Sequence, residues 1–553
     1  MNCDVVYSIG ESEYPSFPYE PSESFPELIK VNSADEHNPN GIYNKVYSSV
    51  RSIFAGLGLD SANIGTERWN PFASFVSPGD MVLLKPNWVR DYNVILSSGV
   101  DCLLTHTSVI RPLIDYAAKA LDYNGTIVIA DAPLQSCDFK KLRKVTRIDE
   151  LINFLQPRYP NILFIVEDWR LTVMDRQRFV GKGAGRRMNQ GDESRCQVVD
   201  LGEKSFLTDL EDYAEQFRVT CYDTSLMLPH HTGGHHKYLV TKRIFEANLI
   251  INIPILKTHI KAGITGALKN LVGINGHKEY LPHHCKGGYE SGGDNFYSGS
   301  SFKSSVEELD EWYWKDPNRF SPVIRALLSK TLGLGWKLSG MLSYDKITGG
   351  GWSGNDTLWR TIIDLNHILY FYDPVTDSLN DIPVRPVITI VDAVIAGQGE
   401  GPLSPTPKPI GMLYGGFNPA AVEMLSLKII GYNTARIKSV SAALYDVRSK
   451  FNTSLRGEAR FFDVTKDSPR QVPLSEIPSH NFKLPKHWKR CGINPNTISS
   501  PLFIYMGRIK KIDYQSSFQL TTNYLKFSQH SALSTSKTAN CFFVFAQHFL
   551  SQH

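Results

Sequence analysis

The chain has 553 residues, more than one hydrophobic core organises, since cores stop growing at about 250–300 residues, so two domains with additional segments are expected. A hydrophobic content of 42% and a charged content of 21% are those of a globular protein, and a net charge of +4 from dispersed Lys and Arg residues points to no nucleic-acid partner. The eight cysteines stand singly, without a C-x-x-C pair, which excludes zinc-ribbon and iron–sulfur spacings and argues against a disulfide framework.

Residues 1–40 are rich in Pro, Ser, Glu and Tyr without periodicity and read as an irregular N-terminal arm. No basic n-region or apolar h-region opens it, so no secretory signal is expected. The first α/β domain is expected over 41–237. Tyr43–Gly56 has helical spacing, Met81–Lys85 is a short apolar run of the buried-strand kind, and Val109–Leu121 is helical again. Asn124 and Gly125 turn the chain into the strand Thr126–Ala130; the helix Ile148–Leu155 and the strand Ile162–Val166 follow. Strand and helix in alternation imply a mostly parallel sheet. The basic, Gly-rich segment Arg176–Arg195 lacks the Walker order and reads as a surface loop, with a phosphate cradle as the alternative.

A second α/β domain is expected over 238–488. Its elements are the strands Leu249–Leu256, Val387–Val391 and Met412–Tyr414 and the helix Ala420–Ile430, interrupted by an insertion over about 285–360 rich in Gly, Ser and Trp. An insertion of that length without obvious elements is usually functional or disordered. Residues 489–553, rich in Ser, Gln and Phe, read as a tail of uncertain structure. Apolar runs such as Leu249–Leu256 fall well short of the roughly 20 residues of a membrane span, so the cytoplasm is the expected location and no membrane partner is expected. The fold class is α/β: two α/β domains with mostly parallel sheets around an interdomain cleft, flanked by an irregular arm and tail.

The densest polar cluster follows the strand Leu249–Leu256: Lys257, His259, Thr265, Gly266, Lys269, Asn270, His277, Lys278, His283 and His284. Ligands of open α/β sheets bind just beyond the carboxyl ends of strands. The Gly-x-Thr-Gly turn is expected to aim backbone N–H groups at an anion, with Lys257 and Lys269 as cationic donors and the histidines as acid/base or metal-ligand nitrogens. In the first half of the chain, Lys85 and Asn87, His106, and Asp131 stand at strand or loop ends and are expected to share the same edge. Asp392, followed by a Gly-rich loop bearing Glu400, reads as a ligand-facing turn or as a purely structural one. Arg360 and Asp364, four apart, read as an intrahelical ion pair. His230, His231, His235 and His236 have no adjacent carboxylate and read as loop histidines, with metal binding as the alternative.

In order along the chain, Leu83–Asn87, Ile253–His259, Gly263–Asn270, Leu281–His284, Gly292–Asp294, Asn355–Arg360, Asp364–Asn366 and Gly399–Pro402 resemble the family catalogued as domain of unknown function 362. That resemblance implies family membership over about 80–435 and little about activity. Relatives with ferredoxin-type clusters exist, but the cysteine spacing for one is missing here, so no iron–sulfur cluster is expected. A fainter similarity is to the lactate-racemase family, whose two α/β domains enclose a nickel-pincer nucleotide. By that likeness Lys269 would hold the cofactor, His284 would ligate metal, and His259 with His106 would pass protons. Ala267 and Leu268 depart from that family's pattern, which has a glycine pair there, and its substrate-binding arginine motif is not recognisable.

The functional expectation is an enzyme acting on a small anionic substrate, the reaction unassigned. His259 and His106 are the candidate catalytic residues. Lys85, Lys257, Gly266, Lys269, Asn270, Asp392 and Glu400 would hold substrate or cofactor, and His283 and His284 would take a metal. The cofactor is open, a metal ion or metal-bearing nucleotide being the class the residues would admit. A non-catalytic nucleotide- or metallocofactor-binding protein is the alternative, and a racemase- or isomerase-like enzyme using a metal-pincer cofactor the second alternative. Oligomeric state is left open.

Overall fold

In the computed structural model, residues 1–31, 44–175, 185–189, 193–219, 223–342, 346–452, 458–466 and 469–491 are described. The tail lies outside the described residues apart from 489–491, as does most of the basic segment Arg176–Arg195.

Eleven strands make one sheet. They are β1 Asp4–Ile9, β2 Met81–Pro86, β3 Gly125–Asp131, β4 Ile162–Asp168, β5 Leu249–Ile253, β6 Ile255–His259, β7 Gly263–Thr265, β8 Val387–Glu400, β9 Ser404–Gly416, β10 Arg460–Asp463 and β11 Arg470–Gln471. The order is β11, β10, β1, β9, β8, β5, β2, β3, β4, with β6 paired to β8 and β7 to β6. The centre, β8-β5-β2-β3-β4, is parallel throughout.

These central strands are continuous apolar runs because both faces are covered. Their side chains alternate, so Leu83, Val128 and Ile250 enter one core while Val82, Leu84, Ile127, Ile129, Leu249 and Ile251 enter the other. Helices α1 Lys45–Gly56, α2 Thr107–Ala120, α3 Phe139–Thr146 and α4 Ile148–Leu155 supply the second core. The insertion folds as α5 Ser301–Lys315 and α6 Pro322–Leu342. Helices α7 Leu358–Phe371, α8 Pro419–Ile430 and α9 Lys438–Tyr445 supply the first core. The expected α/β class with a large, mostly parallel sheet is what the chain adopts.

Three features depart from the expectations. Strands on either side of the boundary expected at 237/238 share the sheet: Val82 pairs with Leu249 and Lys85 with Asn252, and the described residues fall in one compact unit. The N-terminal arm is irregular only in part, because β1 pairs antiparallel with β9 and parallel with β10. Its alternation, Val5 and Tyr7 to one core and Val6 to the other, is too short to stand out among the Pro-rich residues around it. Finally, the run expected as one strand, Leu249–Leu256, breaks at Pro254, which has no N–H for a ladder.

Buried charge anchors the rest of the arm. Arg111 on α2 is fully buried and donates to Asp115 at 2.8 Å, Glu20 at 2.9 Å and the Pro18 carbonyl at 3.0 Å. Tyr47 of α1 and Tyr159 donate to the two oxygens of the same Asp115, each at 2.7 Å. Glu20 keeps Arg158 at 2.8 Å, but removing Arg111 leaves the buried Asp115 without its cation, a loss of about 3–5 kcal/mol. Arg111→Met is therefore expected to lower the unfolding free energy of the full chain, measured by urea denaturation, by that amount, and a change below about 1 kcal/mol, the scale of an exposed pair, would show that the arm is held otherwise.

Candidate functional site

The break at Pro254 builds the site. β5 ends beside β2, and β6 then leaves that neighbour and follows β8, with Ile255 opposite Asp392 and Lys257 opposite Gly397. Lys257 and His259 are thereby carried past the carboxyl ends of β2 and β3 on a strand, rather than on the loop the sequence suggested. β7 turns back against β6, pairing Thr265 with Lys257. A short 3-10 segment, Lys269–Ile274, then brings Lys269 and Asn270 to the same edge.

Here the side chains surround a cavity of about 1090 Å³. Its floor carries Asn87, Asp131, Lys257, His259, Thr265, Lys269, Asn270, Lys278, His283 and His284. Its roof is the insertion, with Glu307, Asp310, Glu311, Tyr313 and Trp314 from α5 and Leu332 and Trp336 from α6. The expected unstructured insertion is a helical lid.

A hydrogen-bonded frame holds the floor. Lys85 donates to Asp131 at 2.7 Å and to Asn270 Oδ1 at 3.3 Å. Asn270 Oδ1 also accepts from Asn87 at 2.9 Å, and its amide nitrogen donates to Asn252 at 2.8 Å and the Lys85 carbonyl at 3.2 Å. Asn87 Oδ1 in turn accepts from Lys257 at 2.8 Å, and Lys278 donates to the Ala132 carbonyl at 3.1 Å. Gly273 closes over this frame, for a Cβ there would stand 2.0 Å from Asp131 Oδ1.

The amines are held short of full charge. Burial, with repulsion from Lys269, brings Lys257 down to about 7. Burial and repulsion from Lys278, Lys261 and Lys85 bring Lys269 down to about 7, and burial brings Lys278 down to about 8, against the attraction of Asp131. Lys269 makes no hydrogen bond or ion pair among the described residues. Burial and the neighbouring lysines also push His259, His283 and His284 well below the ordinary histidine range, so all three are neutral. His259 Nδ1 accepts from the Lys261 and Ala262 N–H groups at 3.0 and 3.1 Å, which places its proton on Nε2. His283 has the opposite arrangement: Nδ1 donates to the Leu281 carbonyl at 2.7 Å, leaving the lone pair on Nε2. His284 Nδ1 and Thr265 Oγ1 are buried without a partner, the kind of orphaned polar atom that calls for a ligand or water.

Of the residues expected from sequence, the cavity brings together Lys257, His259, Lys269, Asn270, His283 and His284. Five others stand elsewhere. Lys85 is buried behind Asp131 and positions the floor. Gly266 packs on Glu423, whose carboxylate accepts from the Ala267 and Leu268 N–H groups at 3.1 and 3.4 Å; the turn expected to receive an external anion holds one of the chain's own. His106 caps α2, accepting from Ser108 N at 3.2 Å and stacking on Tyr14 at 3.8 Å, and burial lowers it to about 3. Asp392 is buried in mid-strand, because β8 runs on to Glu400, and it accepts from Tyr14 at 2.8 Å and His106 N at 3.0 Å; burial raises it to about 7. Glu400 is exposed and accepts from Lys486 N at 2.8 Å. Among the described residues, no group of three His, Cys, Asp or Glu side chains is arranged to hold a metal ion.

Outside the cavity, Asp364 does not pair with Arg360. It accepts from Ser205, Phe206 N and Tyr238, while Arg360 turns to Asp209 and Asp356. Asp294 staples the loop after His284 to the start of α7, accepting from Asp356 N at 2.7 Å and Thr357 N at 3.0 Å. His235 pairs with Asp200 at 2.6 Å and His230 stacks on Tyr280. Lys278 and the lid side chains are among the cavity residues to which the sequence reading gave no role.

Residues 185–428 match the family described as Domain of unknown function (DUF362), which bears out the resemblance across that span; the Leu83–Asn87 motif precedes it. No curated protein matches the chain. A crystal structure of a Thermotoga maritima protein, a Northeast Structural Genomics Consortium target, is similar at 11% identity and a TM-score of 0.27, over 66% of this chain and 54% of that one. The chain thus spans about half the length of that protein.

A half-buried amine without a hydrogen-bond partner, held below its ordinary pKa, costs stability near neutral pH. Lys269 titrates near 7 in the folded chain and at about 10.4 when unfolded, so between these values the unfolded chain binds the extra proton and stability rises with pH. Lys269→Met is expected to melt above the wild type at pH 7, with the difference shrinking as the pH climbs towards 10. Equal melting temperatures across that window would show that the amine carries no such strain.

Proposed function

We propose that the protein is an enzyme that moves a proton on a small anionic substrate, one bearing a carboxylate or phosphate, inside this cavity. The observation that carries the reading is the opposed hydrogen bonding of two neutral imidazoles on one cavity wall, His259 presenting an N–H and His283 a lone pair. A donor and an acceptor set by fixed backbone partners are what general acid–base chemistry needs. His283 stands near enough to His259 to help lower it.

The anion is held by Lys269, with Lys257 and Lys278 beside it. Binding restores the charge that burial and mutual repulsion suppress, since an opposite charge nearby favours the protonated amine. It also offsets the lysines that depress His283, making Nε2 a better base. His283 Nε2 then takes a proton from the atom next to the anionic group, and His259 Nε2–H donates to the oxygen that gains negative charge. The lid excludes water around both events.

Binding and chemistry are separable. Isothermal titration with inorganic phosphate and small carboxylates is expected to show binding that weakens as the pH rises through 7–8, where Lys257, Lys269 and Lys278 lose charge, and that is lost in Lys269→Met. Proton NMR in deuterated water, run on a panel of 2-hydroxy acids, 2-amino acids and phosphate esters, is expected to show exchange of the proton beside the anionic group. Either His259→Gln or His283→Gln should slow it by about 10²-fold or more, the scale of general acid–base catalysis. Anion binding without exchange from any member of the panel would make the cavity a binding site and sink the catalytic reading.

A further inference from the structure

The lid has a second face. On α6 the side chains of Ser329, Leu332, Gly333 and Trp336 border the cavity, while another stripe points away from the protein. Leu327 is 65% exposed, Leu334 55% and Met341 69%, and Val323, Leu338 and Leu342 are exposed with them. The spacing, 323, 327, 334, 338 and 341, is that of one helical face. A contiguous apolar face of this kind on a helix of 21 residues, about 31 Å long at 1.5 Å per residue, is not a scatter of single exposed residues and marks an interaction site.

The charge on α6 identifies the occupant. Its sequence, PVIRALLSKTLGLGWKLSGML, has three basic residues and no acidic one. Arg325 is buried. Lys330 and Lys337 are exposed beside the stripe, and neither makes a hydrogen bond or ion pair among the described residues. A second copy of the chain laid against this face would bring like charges together with no carboxylate on α6 to pair them. An apolar stripe flanked by unpaired lysines instead suits the headgroup boundary of an anionic bilayer, with the apolar side chains sunk among acyl chains and the amines at phosphate level. No helix among the described residues is long and apolar enough to cross a membrane, so the helix would lie in the plane of the surface.

We infer that α6 docks the protein onto the surface of an anionic phospholipid membrane through the Val323–Leu342 stripe and its flanking lysines. The outer face of the lid is then the docking element, and the inner face still lines the cavity. This inference is independent of the reaction proposed for the cavity.

Vesicle co-sedimentation of the full chain tests it, with phosphatidylcholine vesicles and vesicles in which part of the phosphatidylcholine is replaced by anionic phosphatidylglycerol. The wild type is expected to pellet with the anionic vesicles and to be released as salt is raised. Leu327→Glu with Leu334→Glu should reduce the bound fraction at least tenfold while far-UV circular dichroism stays unchanged, and Lys330→Glu with Lys337→Glu should abolish the preference for anionic vesicles. The inference is overturned if the wild type stays in the supernatant with both compositions, or if the glutamate variants pellet as well as the wild type. Sedimentation velocity without lipid supplies the competing outcome: a dimer that dissociates in the Leu327→Glu, Leu334→Glu variant would assign the face to a second copy and likewise overturn it.

Discussion

One buried ion pair sets the geometry on which the cavity depends. Asp131 closes β3 and Lys85 stands near the end of β2, and their contact at 2.7 Å is almost wholly buried. Both oxygens of the carboxylate accept: Oδ1 takes Lys85 and Ala132 N, and Oδ2 takes Trp88 N at 2.7 Å. Such a pair is tolerated in a low-dielectric interior only because each remaining donor and acceptor is satisfied. It ties two parallel strands at their carboxyl ends and passes through Asn270 to β5 by way of Asn252. The 3-10 segment carrying Lys269 is fixed to the sheet by the same contacts.

That pair also determines the field in the cavity. Asp131 attracts Lys257, Lys269 and Lys278, but that attraction falls short of the burial that lowers all three. The lid supplies three carboxylates, yet all are engaged elsewhere. Glu307 accepts from Asn295 at 2.6 Å and Gly287 N at 3.1 Å, Glu311 pairs with Arg218 and Lys286, and Asp310 accepts from the indoles of Trp314 and Trp336. Burial raises Glu307 to about 7 and Asp310 to about 6, which reduces their charge further. The cavity is left with amines in search of a counter-ion, a condition that is poor for stability and useful for binding.

Much of this was readable in the sequence where local chemistry governs. The apolar runs of β2 to β5 and β8, the helices of the first half, and the cluster Lys257–His284 are set by residues close together in the chain, and the structure keeps them. The misplacements involve partners far away in sequence. His106 and Asp392 were each plausible at a strand or loop end, but they meet one another across 286 positions, so their polar groups serve the packing of α2 on β8. Arg360 and Asp364 are spaced for a helical pair, yet each finds a stronger partner from the segment around residues 205–209. The lid was missed because α5 and α6 mix Gly, Ser and aromatic residues, and their apolar positions serve two surfaces, which blurs a single amphipathic period.

Glu423 shows how the chain itself fills a turn that its sequence offers to an outside anion. The turn Gly263–Leu268 has the form of a backbone anion site, and its N–H groups do hold a carboxylate, but that carboxylate comes from α8 and is buried against Gly266. Burial holds it up to about 7, so it sits close to its charge transition in the folded chain. With the backbone donors taken, the cationic groups that face the cavity are side-chain amines. A backbone N–H site keeps its dipoles at any pH, whereas amines brought down to about 7–8 change charge within the physiological range. The backbone site is thus closed by the chain's own carboxylate, and the charge that the cavity presents follows the protonation of Lys257, Lys269 and Lys278.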